Sequence, residues 1–138
     1  WVSGEDLMSQ AGVYGTKGTA APANVPGARY SSLSWIDSTG NLWLFGGFGR
    51  DSAGADGRLN DLWSFNGTNW KWVSGSDLIS QAGVYGTKNT ADQANVPGAR
   101  DGSVTWRDSS GNLWLFGGRG FDSAGELGYL NDLWRYRP

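Results

Sequence analysis

The sequence contains no cysteine and no histidine. These absences exclude disulfides, thiolate nucleophiles, imidazole bases and every zinc or copper site built on such ligands. They also leave the redox compartment open. An excess of either charge is missing too. The 11 Lys and Arg against 13 Asp and Glu give a net charge of −2, too small and too mixed for a nucleic-acid groove or an anionic membrane surface. No apolar run approaches the roughly 18 residues that span a bilayer as a helix. No basic-then-apolar leader precedes Trp1, so a secretion signal is expected to be removed or absent.

Glycine and tryptophan are what the chain has in quantity: 23 Gly and 9 Trp in 138 residues, with only 38% hydrophobic residues. Flexible turns alternating with large aromatics suit many short strands joined tightly. Self-similarity organises them. Trp1 aligns with Trp72, and the match runs without a gap to Gly67 against Pro138, with roughly 47 of 67 paired positions identical. WVSGEDLMSQAGVYGTKGT is answered by WVSGSDLISQAGVYGTKNT, and GNLWLFGG occurs twice. One structural unit is used twice.

Each unit reads as four strands. The first is Arg29–Asp37 (repeated as Arg100–Asp108), and the second Asn41–Gly46 (Asn112–Gly117). In the second, Leu42 and Leu44 point one way and Trp43 and Phe45 the other, as in a strand covered on both faces. The third is Asp61–Phe65 (Asp132–Tyr136) and the fourth Trp70–Ser74, with Trp70 and Trp72 on one face. The runs Asp37–Asn41 and Asp108–Asn112 read as hairpin turns with Asp accepting local backbone bonds and Gly at positive φ. Asn66–Asn69 turns strand three into strand four. Two Gly-rich connections remain per unit, Gly47–Asn60 (Gly118–Asn131) and Gly75–Gly98. Ser74–Gln81 is expected to form one helical turn.

The double glycine ending strand two, the Asn-Asp-Leu-Trp third strand and the Trp-bearing fourth strand resemble kelch repeats. With Gly-Val-Tyr-Gly-Thr and Asn-Val-Pro-Gly-Ala-Arg in the long connection, the whole chain is similar, twice over, to bacterial secreted kelch-repeat proteins. The resemblance implies an all-β fold: a β-propeller with two four-stranded blades per chain, and an extracellular or periplasmic location. It departs from the family in blade number, since members close with about six or seven blades in one chain. Kelch propellers include copper oxidases acting on galactose. Their metal site needs His and Cys–Tyr ligands that this chain lacks, so no enzyme activity, catalytic residue, cofactor or metal is expected.

The resemblance also implies how copies meet. Residues 1–4 read as a fourth strand that completes a neighbouring blade, 5–74 as blade one with its preceding long loop, and 75–138 as a long loop and strands one to three of blade two. The ring is expected to be completed by homo-oligomerisation with terminal strand exchange, as a trimer of six blades or a tetramer of eight, with the tetramer favoured. Trp1, Val2, Leu133, Trp134 and Tyr136 are the expected interface. The high identity between units points to an excised or engineered piece.

A ligand surface is the second expectation. Both long connections should emerge on one side, gathering Tyr14, Arg29 and Arg50 from unit one and Tyr85, Arg100 and Arg119 from unit two. Such aromatic-plus-polar surfaces suit a carbohydrate or a peptide. The oxygen-rich runs from Asp51 and Asp122 read as turns rather than calcium loops. Asp37 and Asp108 read as turn residues rather than an acid/base pair. Asn66-Gly-Thr68, a glycosylation-type pattern, reads equally as a turn.

Overall fold

A computed structural model describes residues 1–138. Its twelve strands, with no helix, are β1 (Ala20–Ala21), β2 (Arg29–Tyr30), β3 (Leu33–Ile36), β4 (Leu42–Arg50), β5 (Asp56–Phe65), β6 (Trp70–Ser74), β7 (Arg100–Asp101), β8 (Val104–Arg107), β9 (Leu113–Phe116), β10 (Arg119–Phe121), β11 (Leu127–Tyr129) and β12 (Leu133–Tyr136). All pairing is antiparallel. Repeat one forms a single sheet in the order β1-β6-β5-β4-β2, with β3 also on β4. Repeat two follows the same path in two pieces, β12-β9-β8 and β11-β10-β7. Backbone bonds from Gly117 to Asp132 and from Leu130 to Gly118 link the pieces.

Local chemistry sets the turns. Asp37 Oδ1 accepts from the Thr39 and Asn41 amides while Gly40 takes a φ of 88°. Asn66 Oδ1 accepts from Thr68 and Asn69, with Gly67 at 90°. The connection between strands two and three differs from the sequence expectation. It is a long hairpin in which β4 runs on to Arg50 and β5 starts at Asp56, leaving only a short turn between them. In repeat one the double glycine is a bulge within this strand, with the register shifting between Phe45 and Gly47, whereas in repeat two it separates β9 from β10. A Cβ on Gly47, at φ 95°, would fall 2.7 Å from the Tyr30 carbonyl oxygen, so the pair is fixed by close backbone approach.

The helical turn expected over Ser74–Gln81 does not form. The Ser80 amide instead donates to Arg58 O, and Ser80 has a φ of 61°. Hydrogen bonding to the β4–β5 hairpin replaces the intrahelical bonds.

The core lies between the repeats. Leu33, Phe45 and Leu62 form one cross-strand row, and Trp35, Trp43 and Ser64 the next, all on one face of repeat one. That face is buried against Leu113 and Leu115 of repeat two. Trp35 Nε1 donates to Trp114 O at 3.2 Å, and the Trp43 and Tyr136 rings lie 5.2 Å apart. A Trp/Phe face of one sheet thus meets a Leu/Leu face of the next.

Candidate functional site

Each repeat holds a polar cluster beneath its long connection. In repeat one, Arg29 grips Asp61 with two parallel bonds, 2.6 and 2.7 Å, and also donates to Gly27 O and Gly46 O. Tyr14 Oη and Trp63 Nε1 both donate to Asp61 Oδ2, at 2.6 and 2.7 Å. Repeat two repeats the set with Arg100, Asp132, Tyr85 and Trp134. This bidentate geometry is the strong form of a charge-assisted bond.

The electrostatics follow burial. Burial, then the nearby Asp61, pushes the Tyr14 hydroxyl far above its ordinary range. Burial, then the bond to Asp132, pushes Tyr85 only to about 12. Burial would raise Asp132, but bonds from Arg100, Trp134 and Tyr85 outweigh it and hold the carboxyl at about 2. Both carboxylates belong to structural clusters whose donors and acceptors face one another.

Four of the six expected ligand residues are therefore turned inward. Tyr14 is 5% exposed, the Arg29 and Arg100 side chains are buried, and Tyr85 is half-buried. Burial in the Asp-centred clusters corrects their assignment to a ligand-facing surface. Arg50 is half-buried against Asp56 and donates to Gly54 O, and Arg119 is exposed. Asp51 is buried with one oxygen accepting from Ala53 and Ala55 and the other from Ile79, as a turn residue. Asp37 likewise holds its turn and accepts from Trp43 Nε1.

The residues expected at an interface fall into two groups. Trp1 and Val2 are 92% and 82% exposed, and Leu133 is 54% exposed. Trp134 and Tyr136 are half-buried. The repeat explains the difference by showing what the same positions do when satisfied. Trp72, the counterpart of Trp1, lies 5.1 Å from Tyr14 with Lys17 Nζ 4.2 Å over its ring. Lys17 donates to Gly75 O, Gly18 to Trp72 O, and Asn24 to Trp70 O. In repeat two, the counterparts of Lys17 and Asn24 have no such strand: Asn95 Nδ2 bonds only to Thr90 O, and β12 has no partner on its outer edge.

The satisfied segment extends further than the fourth strand. Asp77 O accepts from Ser52, Asp77 Oδ2 from Ser52 Oγ, and Asn60 Oδ1 from the Ser76 amide. Ile79 lies against Gly57, where an added Cβ would come 2.8 Å from its Cδ1. Their counterparts are open: Met8 is 88% exposed, and a Cβ on Gly128 would meet nothing within 4 Å.

Two sheet faces are open in the same complementary sense. On repeat one, Ile36 and Leu42 are 60% and 44% exposed, the counterpart of the Leu113/Leu115 face. On repeat two, the row Val104, Phe116 and Leu133 is exposed, and Trp106 stacks on Trp114 at 5.9 Å with its outer side bare. These are the two halves of the interface buried inside the chain. Sequence reasoning missed the roles of Asp61, Asp132, Met8 and Gly128, although each is marked by its counterpart 71 residues away. The chain matches no protein-family model and no curated protein.

Proposed function

We propose that the chain is a non-catalytic, self-assembling β-propeller unit of the kelch type, whose copies associate head to tail. The observation that carries this reading is the pair of unfilled surfaces: one bares a Leu-type face, the other a Trp/Phe-type face, and the chain buries that same combination against itself. Such a contact is heterologous, and closes into a ring when the rotation permits. With two blades per chain, three or four copies give six or eight blades, within the usual range.

Residues 1–9 dock on the open edge of repeat two in the next copy. Trp1 adds to the edge of β12 beside Trp134 and Tyr85, and Met8 seats on Gly128, as Trp72 and Ile79 do within the chain. Burying one Trp contributes up to roughly 4–6 kcal/mol at 25 cal/mol per Å², so the arm and two faces outweigh the cost of association. Deleting Trp1–Gly4 is expected to abolish assembly while leaving repeat one folded. Light scattering checks it, and an unchanged mass would mean that the arm does not dock.

A groove of about 740 Å³ between β6 and the following connection favours a second reading. Lys17, Trp72, Asp77, Gln81 and Tyr136 line it, an aromatic-plus-polar wall suited to a carbohydrate or a peptide. A glycan array probed with the assembled protein tests it; no bound sugar would leave the peptide, tested by soaking.

A further inference from the structure

The two repeats differ at three positions that form one cross-strand row. Repeat one has Tyr30, Phe48 and Arg58, in register across β2, β4 and β5. Repeat two has Asp101, Arg119 and Tyr129, in register across β7, β10 and β11. Inside the chain this row closes the junction between repeats by charge. The Arg58 guanidinium donates to the Asp101 carboxylate and to Arg119 O, with both side chains largely buried, and lies 5.8 Å over the Phe48 ring.

At the open ends the chemistry is different. Tyr129 stands where Arg58 stands and is 91% exposed; Tyr30 stands where Asp101 stands and is 64% exposed, its ring 5.5 Å from Phe48. Neither has a charged counterpart to meet. We propose that Tyr129 packs against Tyr30 of a second copy, so that the junction between copies is aromatic while the junction within each copy is ionic. The proposal rests on the head-to-tail reading above and names the residues that meet at its junction.

Asp101 is already held by Arg58 inside the chain, so the row leaves Tyr129, flanked by Arg119, and Tyr30, flanked by Phe48, free at the open ends. Repeat two meeting repeat one joins two aromatic rings that attract without charge. The junction between copies therefore resists salt, which screens exposed ion pairs far more than apolar contacts.

The experiment is sedimentation over a protein dilution series, with the intact chain, Tyr129→Ala, Tyr30→Ala, and the double variant Tyr129→Arg/Tyr30→Asp. Both tyrosines are exposed, so melting of the dissociated chain is expected to be unchanged in each. Either alanine variant is expected to need about tenfold more protein or higher to half-assemble. The double variant, which copies the internal ion pair, is expected to need more protein to half-assemble as salt rises from about 0.05 M to 1 M, where the intact chain does not. An intact chain that assembles, with both alanine variants assembling equally well, overturns this proposal and leaves the head-to-tail reading standing. An intact chain whose assembly falls with salt as steeply as that of the double variant also overturns it. An intact chain that stays monomeric at every concentration overturns both.

Discussion

Repeat one and repeat two carry nearly the same residues in different surroundings. Trp63 is fully buried between its sheet, Tyr14 and the β6 aromatics, whereas Trp134 at the matching position is half-buried. Asn24 is 2% exposed and bridges to the fourth strand; Asn95 makes only a local bond. The Arg–Asp–Tyr cluster is present in both, so it forms without a fourth strand. What the fourth strand adds is burial, visible in the hydroxyl of Tyr14 rising much further than that of Tyr85. The polar cluster is thus a property of the repeat, and the burial a property of its neighbour.

The largest difference should come from the central acid. Asp61→Ala strips four donors of their buried acceptor and is expected to cost about 3–5 kcal/mol; Asp132→Ala, partly wet, is expected to cost about 1–3 kcal/mol. Chemical denaturation checks the order, and equal losses would mean that the two environments do not differ.

A glycine pair separates folding from assembly. Gly57→Val forces Ile79 off its seat and is expected to destabilise the chain by about 1–3 kcal/mol. Gly128→Val faces open space, so the melting of the separated chain should not move. It should instead lower the assembled fraction, because Met8 of the next copy loses its seat. A Gly128→Val chain that assembles normally would place the arm elsewhere.

Acid gives the smallest effect. Asp132 sits at about 2 in the folded chain, below an ordinary value near 3.9. Its depressed value stabilises the fold above about pH 4, and that contribution is lost as pH falls through 2. Partial exposure limits it to about 1 kcal/mol. In Asp132→Asn the acid limb of a stability profile should flatten by that amount, and an identical limb would assign acid sensitivity to other carboxylates.

Turns such as Asp37–Asn41 and Asn66–Asn69 were legible in the sequence because their chemistry is local: side chain and backbone partners lie within four residues. Strand identity and the two-way facing of β4 were legible for the same reason. The extension of β4 through Phe48-Gly49-Arg50 was not, since Gly49, right after the Gly46-Gly47 pair, hides the alternation that marks a strand. The acid of the cluster was hidden by distance, with partners 32 and 47 residues away. The same distance hides from the sequence that Tyr14, Arg29 and Arg100 direct their polar groups onto those acids.

The proposed assembly fills the open surfaces of one copy with another, and sedimentation equilibrium of the intact chain tests this most directly. A single species at three or four times 14.8 kDa is the expected result. One sedimenting at 14.8 kDa across the whole concentration range, with Trp1 and Phe116 still solvent-exposed by fluorescence quenching and hydrogen exchange, would contradict it.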